Sequence, residues 1–301
     1  MNSFSIENEH LKAVFLDYGA ILHQLWFKDK NGVPTNLIMG LDQPQDYLTD
    51  DWVRGAVVGR FAGRLENPIQ IEGTPIEIEH KDGVLLHSGS SGWHKKQWTP
   101  LAQENNHSIT FEYQCPDGSS GFIGTVHARV SYRLDGSSLG IEYHAAPSET
   151  THINLTNHAY FNLNPSNSIG SQQLRIDADH FLELKESLVP TGKKLAVENS
   201  TFDFREEKAI GNIRLDDYFV VNQNKKEIAS LYSQDTGIVM KTLTDQPGVV
   251  VFTPPHFEAI CFETQKFSNS PNMPTFPSTL IKANEEYTHR TRFEFSLKNE
   301  A

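Results

Sequence analysis

Two stretches of the chain carry side chains suited to handling a small polar molecule. From Ile153 to Leu163 the residues alternate, so that Ile153, Leu155, Ala159, Phe161 and Leu163 share one side of an extended strand. Asn154, Thr156, His158, Tyr160 and Asn162 share the other, which holds no Lys, Arg, Asp or Glu, the residues that usually solvate an exposed sheet face. Neutral donors and acceptors beside an aromatic ring suit a polyhydroxylated ligand. In the second stretch, Ile260 to Gln265, alternation sets Ile260, Phe262 and Thr264 against Cys261, Glu263 and Gln265. Glu263 therefore leaves a strand whose opposite face is apolar. It is either a solvated outer carboxylate or a base on a rigid scaffold, and the residues alone leave both open. Gly59-Arg-Phe-Ala-Gly-Arg64 lies between two β-like regions, and His87 ends the apolar run Gly83-Val-Leu-Leu.

Most segments that would position these residues read with period two. Leu11–Leu16, Ile21–Phe27, Ile109–Tyr113, Thr125–Leu134 and Leu139–Ala145 are β-like, divided by turn clusters such as Pro116 to Gly121 and Asp135 to Ser138. Ile69-Gln-Ile71, Glu72-Gly73 and Ile76-Glu-Ile78 spell a hairpin. Leu174–Ile176, Tyr218–Val221, Gly237–Leu243, Val249–Phe252 and Ala259–Gln265 continue the pattern. The last strand sets Phe293, Phe295 and Leu297 against Arg292, Glu294 and Ser296. Only Pro44 to Leu48 suggests a helical turn. Short strands at this spacing predict an all-β chain, a large antiparallel β-sandwich. No repeat or linker divides it, so one domain over residues 1–301 is expected.

The 26 basic and 38 acidic residues give a net charge of −12, which disfavours nucleic acid and anionic membranes as partners. Cys115 and Cys261 are far apart and outside any C-x-x-C spacing, so free thiols are expected rather than a disulfide or zinc knuckle. A metal pair of His152 and His158 lacks a nearby Cys or acidic ligand to complete it. The N-terminal residues show neither a basic start nor an apolar run, and no stretch approaches the ~20 apolar residues that cross a bilayer. A cytoplasmic protein is expected.

The ordered set Gly59-Arg-Phe-Ala-Gly-Arg-Leu65, Leu86-His-Ser-Gly89, Asn154-Leu-Thr-Asn-His158, Val189-Pro-Thr-Gly192, Leu215-Asp-Asp-Tyr-Phe219, Gln246-Pro-Gly248, Phe262-Glu-Thr-Gln265 and Phe276-Pro-Ser-Thr279 resembles the aldose 1-epimerases, also called galactose mutarotases. The resemblance runs from roughly Gly59 to Phe295. It implies a large β-sandwich with an open sugar groove and an isomerase that interconverts anomers of a free aldose without metal or organic cofactor. The partner implied is a monosaccharide, with the protein a monomer or homodimer. His158 falls on the family's general acid and Glu263 on its general base. His87, Arg64, Asp216 and Gln265 fall on sugar-binding positions, with Asp216 preferred over the adjacent Asp217. A carbohydrate-binding protein without turnover is the alternative.

Opening a cyclic hemiacetal removes a proton from O1 and delivers one to the ring oxygen, which calls for a base and an acid on opposite sides of the C1–O5 unit. A Glu near ~4.3 is ionised at neutral pH, and a nearby carboxylate should shift a His near ~6.5 into its protonated form. Gly63 stands where the family usually has Asn, and Val249-Val-Val251 follows Pro247-Gly248 where it often has Gln. The connection from Thr253 to Ala259 is short, and His256 within it is a candidate to fill the gap.

Overall fold

The computed structural model describes residues 1–101, 105–222 and 227–298. Its architecture is the expected one, antiparallel sheets with short 3-10 turns between them, and Pro44–Thr49 is such a turn. The largest sheet has nine strands. It begins as the predicted meander of Ser108–Cys115, Val126–Asp135 and Ser138–Pro147, crosses to Tyr287–Leu297, and returns through Ile238–Thr244 and Glu227–Tyr232 to Gln173–Ile176. A six-stranded sheet runs in the order Tyr160–Phe161, Ile260–Gln265, Gly248–Phe252, Asp216–Val221, Ala178–Leu184 and Pro190–Ala196.

The two sheets share one core because their inward residues are apolar at every second position. Val130, Tyr132, Ile141, Tyr143 and Phe293 of the large sheet pack with Phe161, Phe219, Val249, Val251 and Phe262 of the smaller one, all buried in a single cluster. Each full burial of a Val-, Leu- or Phe-sized side chain contributes about 1.5–3 kcal/mol, which makes this shared layer the main support of the fold.

Two expectations change in detail. The hairpin forms at Glu72-Gly73, both with positive φ, but Ile69–Ile71 pairs with Thr74–Ile76, a strand that starts two residues earlier than the repeat of isoleucines suggests. The stretch from Ile153 to Leu163 is not one strand. It makes brief pairings through Asn154 with Phe61, through Thr156–Asn157 with Val57–Val58 and through Tyr160–Phe161 with Ile260 and Cys261, and every residue in it is buried. Its apolar side does join the core as read. Its polar side lacks charges because it is buried, and its amides serve backbone: Asn154 bonds Lys266, Asn157 bonds the Gly55 carbonyl, and Asn162 bonds the Glu258 carbonyl.

Arg60 holds the segment leading to Arg64. Its guanidinium, 1 % exposed, donates to the carbonyls of Ile123 at 2.8 Å and Gly124 at 2.7 Å. It buttresses the neighbouring loop and does not face a ligand. Arg60→Ala leaves those buried carbonyls unpaired and should cost about 3 kcal/mol or more of stability in urea unfolding.

Candidate active site

The floor of the site is the outer face of the six-stranded sheet. Register places Tyr218, Val250 and Glu263 in one row across three adjacent strands, and Asp216, Phe252, Cys261 and Tyr160 in the next. The alternate residues Phe219, Val249, Val251 and Phe262 point into the core. The apolar partner face seen in the sequence thus fixes Glu263 on the side away from the core, and the structure makes that side a cavity rather than open surface. Gly63, Arg64, His87, Asp216, Tyr218, Val250, Glu263 and Ser268 line it, with Leu184, Leu188 and Pro190 along its edge.

The wall opposite comes from a pair of short strands in which Arg64 lies beside Leu86. The next residue, His87, has φ 49°, a left-handed conformation uncommon outside glycine. Reciprocal bonds hold it there: His87 N–H donates to the Gly63 carbonyl at 3.1 Å, and Gly63 N–H donates to His87 Nδ1 at 3.2 Å. Gly63 itself has φ 80°, and a Cβ there would overlap Ser268 Oγ. The Gly in place of an amide side chain therefore comes with a serine in the space that side chain would enter. Across the cavity Arg64 and Asp216 approach to 3.7 Å.

His158 enters from the stretch threaded between the sheets. Its N–H donates to the Ala56 carbonyl, and its carbonyl accepts from Gly55 N–H, both at 2.9 Å. The ring lies between Tyr160, 5.0 Å away, and His87, 5.5 Å away. Its Nδ1 is 3.4 Å from Cys261 Sγ, and its Nε2 is 3.4 Å from Glu263 Oε1. The imidazole and the carboxyl group are direct neighbours, not separated by the width of a sugar ring. The reason is chemical: O1 and the ring oxygen are bonded to the same carbon, so groups acting on both must sit close together.

Their ionisation reverses the sequence expectation. Burial pushes Glu263 up to about 8, the nearby Asp216 adds to the rise, and Arg64 opposes it. Burial drives His158 down to about 4. Desolvation outweighs mutual attraction because both groups are almost wholly out of water, at 3 % and 5 % exposed. At neutral pH these shifts favour a protonated Glu263 and a neutral His158. Burial, then His158 and His94, hold His87 well below the usual imidazole range.

The structure brings Arg64, His87, Asp216, His158 and Glu263 together. Asp216 faces the cavity, while the Asp217 carboxylate folds back to accept from Asp216 N–H at 3.1 Å. Gln265, expected to touch sugar, is fully buried. Its amide donates to Ser268 Oγ at 3.3 Å, and Ser268 lines the cavity in its stead. His256 is exposed, lies against Trp52 and does not line the cavity. Trp93 and Trp98 are core. Ser268, Tyr218 and the apolar edge were not read from the sequence. Tyr218 could have been found from its spacing of two from Asp216; Leu184, Leu188 and Ser268 offered no comparable signal. Larger clefts lie against Trp26 and across the nine-stranded sheet, but neither pairs a buried carboxylate with an imidazole.

His152 uses Nδ1 on Thr279 Oγ1 and Nε2 on the Gln70 carbonyl, each at 2.8 Å, so it is no metal partner for His158. His87, His158 and Glu263 do place one potential ligand atom each within 4.8 Å of the others. The Gly63 N–H, however, takes the lone pair of His87 Nδ1, which leaves the proton of the neutral ring on Nε2. His87 thus offers the cavity an N–H donor, which suits a hydroxyl or ring oxygen better than a metal ion.

Comparison with known proteins agrees with this geometry. The profile of the family described as "Aldose 1-epimerase" matches residues 2–294. The chain is 32 % identical to the galactose mutarotase of Bos taurus, an alignment covering 99 % of this chain and 94 % of that protein. It is 27 % identical to the aldose 1-epimerase of Escherichia coli K12, over 96 % and 93 % of the two chains. The crystal structure of an aldose epimerase homologue from C. elegans superposes with a TM-score of 0.93 at 26 % identity, covering 99 % of each chain.

Two stability measurements test this description. The native Glu263 pKa lies above the unfolded value of 4.5, so the wild type should lose stability relative to Glu263→Gln as pH rises from 4.5 to about 8. The slope is at most about 1.4 kcal/mol per pH unit, read from urea melts of both proteins. Gly63→Ala should cost about 2 kcal/mol. Adding Ser268→Ala should recover the part due to overlap and leave the part due to φ, a coupling that a double-mutant cycle reads directly.

Proposed function

The chain belongs to the aldose 1-epimerase family, and from that premise we propose that Glu263 and His158 open and reclose the sugar ring. The protein is an isomerase, a mutarotase that interconverts the α and β anomers of free aldoses. The observation that carries the assignment of residues is the 3.4 Å approach of His158 Nε2 to Glu263 Oε1 inside a closed site.

The pair carries one transferable proton. With that proton on His158, Glu263 is a carboxylate. It accepts the proton of O1 while His158 Nε2–H delivers to O5, the C1–O5 bond breaks and C1=O1 forms. Ring opening leaves Glu263 protonated and His158 neutral, the arrangement that burial favours. The environment therefore lowers the energy of the open-chain state relative to the ion pair that precedes it. Rotation about C1–C2 presents the other face of the aldehyde, and the proton transfers run backwards to give the other anomer. His87 Nε2–H donates beside the ring oxygen, while Arg64 and Asp216, which line the cavity and approach each other to 3.7 Å, hold distal hydroxyls.

The relatives are named for galactose and for aldoses in general. Val250 in the floor and the absent side chain at Gly63 supply no amide to the cavity, which supports acceptance of more than one aldose. We read residues 1–301 as one such domain, active as a monomer or homodimer. Both cysteines are unpaired, which fits a reducing compartment and a cytoplasmic setting. No helix among the described residues is long and apolar enough to cross a membrane.

The test is anomer equilibration across a panel of free sugars, followed by polarimetry or saturation-transfer NMR. Glu263→Gln and His158→Gln should each lower kcat by about 10²–10⁴-fold while each variant still unfolds cooperatively in urea. Sugar binding without acceleration by the wild type would instead identify a carbohydrate-binding protein.

A further inference from the structure

The nitrogen of His158 that faces away from the cavity has an unusual partner. Nδ1 lies 3.4 Å from the sulfur of Cys261, a residue with no exposed surface, two positions before Glu263 on the same strand and the same face. The ring also lies near its own backbone carbonyl, which accepts Gly55 N–H as well, and sulfur is the side-chain atom within hydrogen-bonding distance of Nδ1. We infer that Cys261 is a positioning residue whose neutral sulfur accepts the Nδ1–H of His158, so that Nε2 is the nitrogen that exchanges a proton with Glu263 and the sugar. The inference rests on the assignment of His158 and Glu263 given above.

Three observations lead there. Glu263 Oε1 lies 3.4 Å from Nε2, and the upward shift of Glu263 puts a proton on the carboxyl side of that contact, so Nε2 is the acceptor and the ring's own proton belongs on Nδ1. The contrast with His87 is informative. A backbone N–H can only donate, so Gly63 forces His87 into the opposite tautomer, with Nε2–H fixed as a donor. A thiol has no such restriction, and its sulfur can accept from Nδ1–H whether the ring is neutral or charged. Burial, the largest cause, holds the thiol in its protonated, uncharged form. A carboxylate in this place would stabilise the imidazolium, as it does in hydrolase triads. A neutral sulfur orients the ring without weakening it as an acid, which suits delivery to a feebly basic ring oxygen.

The test combines tautomer and kinetics. Protein with 15N-labelled histidine, without sugar at pH 7, should show His158 protonated on Nδ1 and His87 on Nε2, assigned with His158→Gln and His87→Gln. Cys261→Ala should lower kcat by about 10- to 100-fold, the range expected for a misplaced reacting group, with KM little changed. It should also alter the His158 nitrogen shifts. Cys261→Ser, which keeps a neutral acceptor, should recover most of the loss. A wild-type His158 protonated on Nε2 overturns the inference, whatever the variants do. So does a folded Cys261→Ala enzyme with wild-type kcat and unchanged shifts. Should Cys261→Ala fail to fold, the wild-type tautomer and the Ser variant decide. If Glu263→Gln and His158→Gln themselves keep wild-type rates, the failure lies in the proposed chemistry and not in the part played by Cys261.

Discussion

The approach of His158 Nε2 to Glu263 Oε1 at 3.4 Å is the constraint on which the rest of the molecule depends. An acid and a base in contact would ordinarily neutralise each other as a solvated ion pair and lose their use. Here both are almost entirely out of water, and the cost of charging either exceeds what their attraction returns. The site thus rests as a neutral pair one proton transfer away from an ionic one. That poise requires a dry enclosure, and the aromatic rings of Tyr160, Phe252 and His87 around the imidazole provide it.

Position is secured by elements with other tasks. Ile260–Gln265 pairs with Gly248–Phe252 along most of its length and with Tyr160–Phe161 at its start, and its inward residues Ile260 and Phe262 are part of the common core. Glu263 therefore inherits the rigidity of the sheet. His158 has no such strand. It is pinned through its own N–H and carbonyl to Ala56 and Gly55, in a segment whose buried amides satisfy the backbone of whatever crosses it. The two halves of the site are held by different means, a ladder on one side and a set of side-chain-to-backbone bonds on the other.

Much of this was legible in the sequence, and the gaps have physical causes. Alternation exposed the two-faced character of Ile260–Gln265 and most strands of the large sheet. It missed Ser3–Glu7, Ala178–Leu184, Pro190–Ala196 and Glu227–Tyr232. Two of these are sheet edges, and Pro190–Ala196 carries Gly192, Lys193 and Lys194, residues that protect an unpaired edge and dilute a β signal. Ala178–Leu184 is interrupted by register shifts toward both neighbours, which breaks a period of two. The polar side of Ile153–Leu163 was read as a ligand surface because its composition was unusual. Burial explains the same composition, and only His158 among those residues meets Glu263. The ionisation of the pair could not be anticipated, since it follows from depth in the fold and not from residue type. Gln265 shares a face with Glu263, yet Ser268 reaches the cavity in its place, a substitution set by a loop turn rather than by a pattern.

The strict alternation of Ile260–Gln265 limits how such a protein can change over evolutionary time. Insertion or deletion of one residue before Glu263 would turn Phe262 and Thr264 outward and drive the carboxyl group into the shared core, abolishing fold and chemistry together. Single substitutions aside, novelty must enter where register is not at stake, in the irregular connections such as Thr253 to Ala259 or the rim around Leu188. Lineages with new sugar preferences should differ in the lengths of those loops and keep the spacing within this strand unaltered.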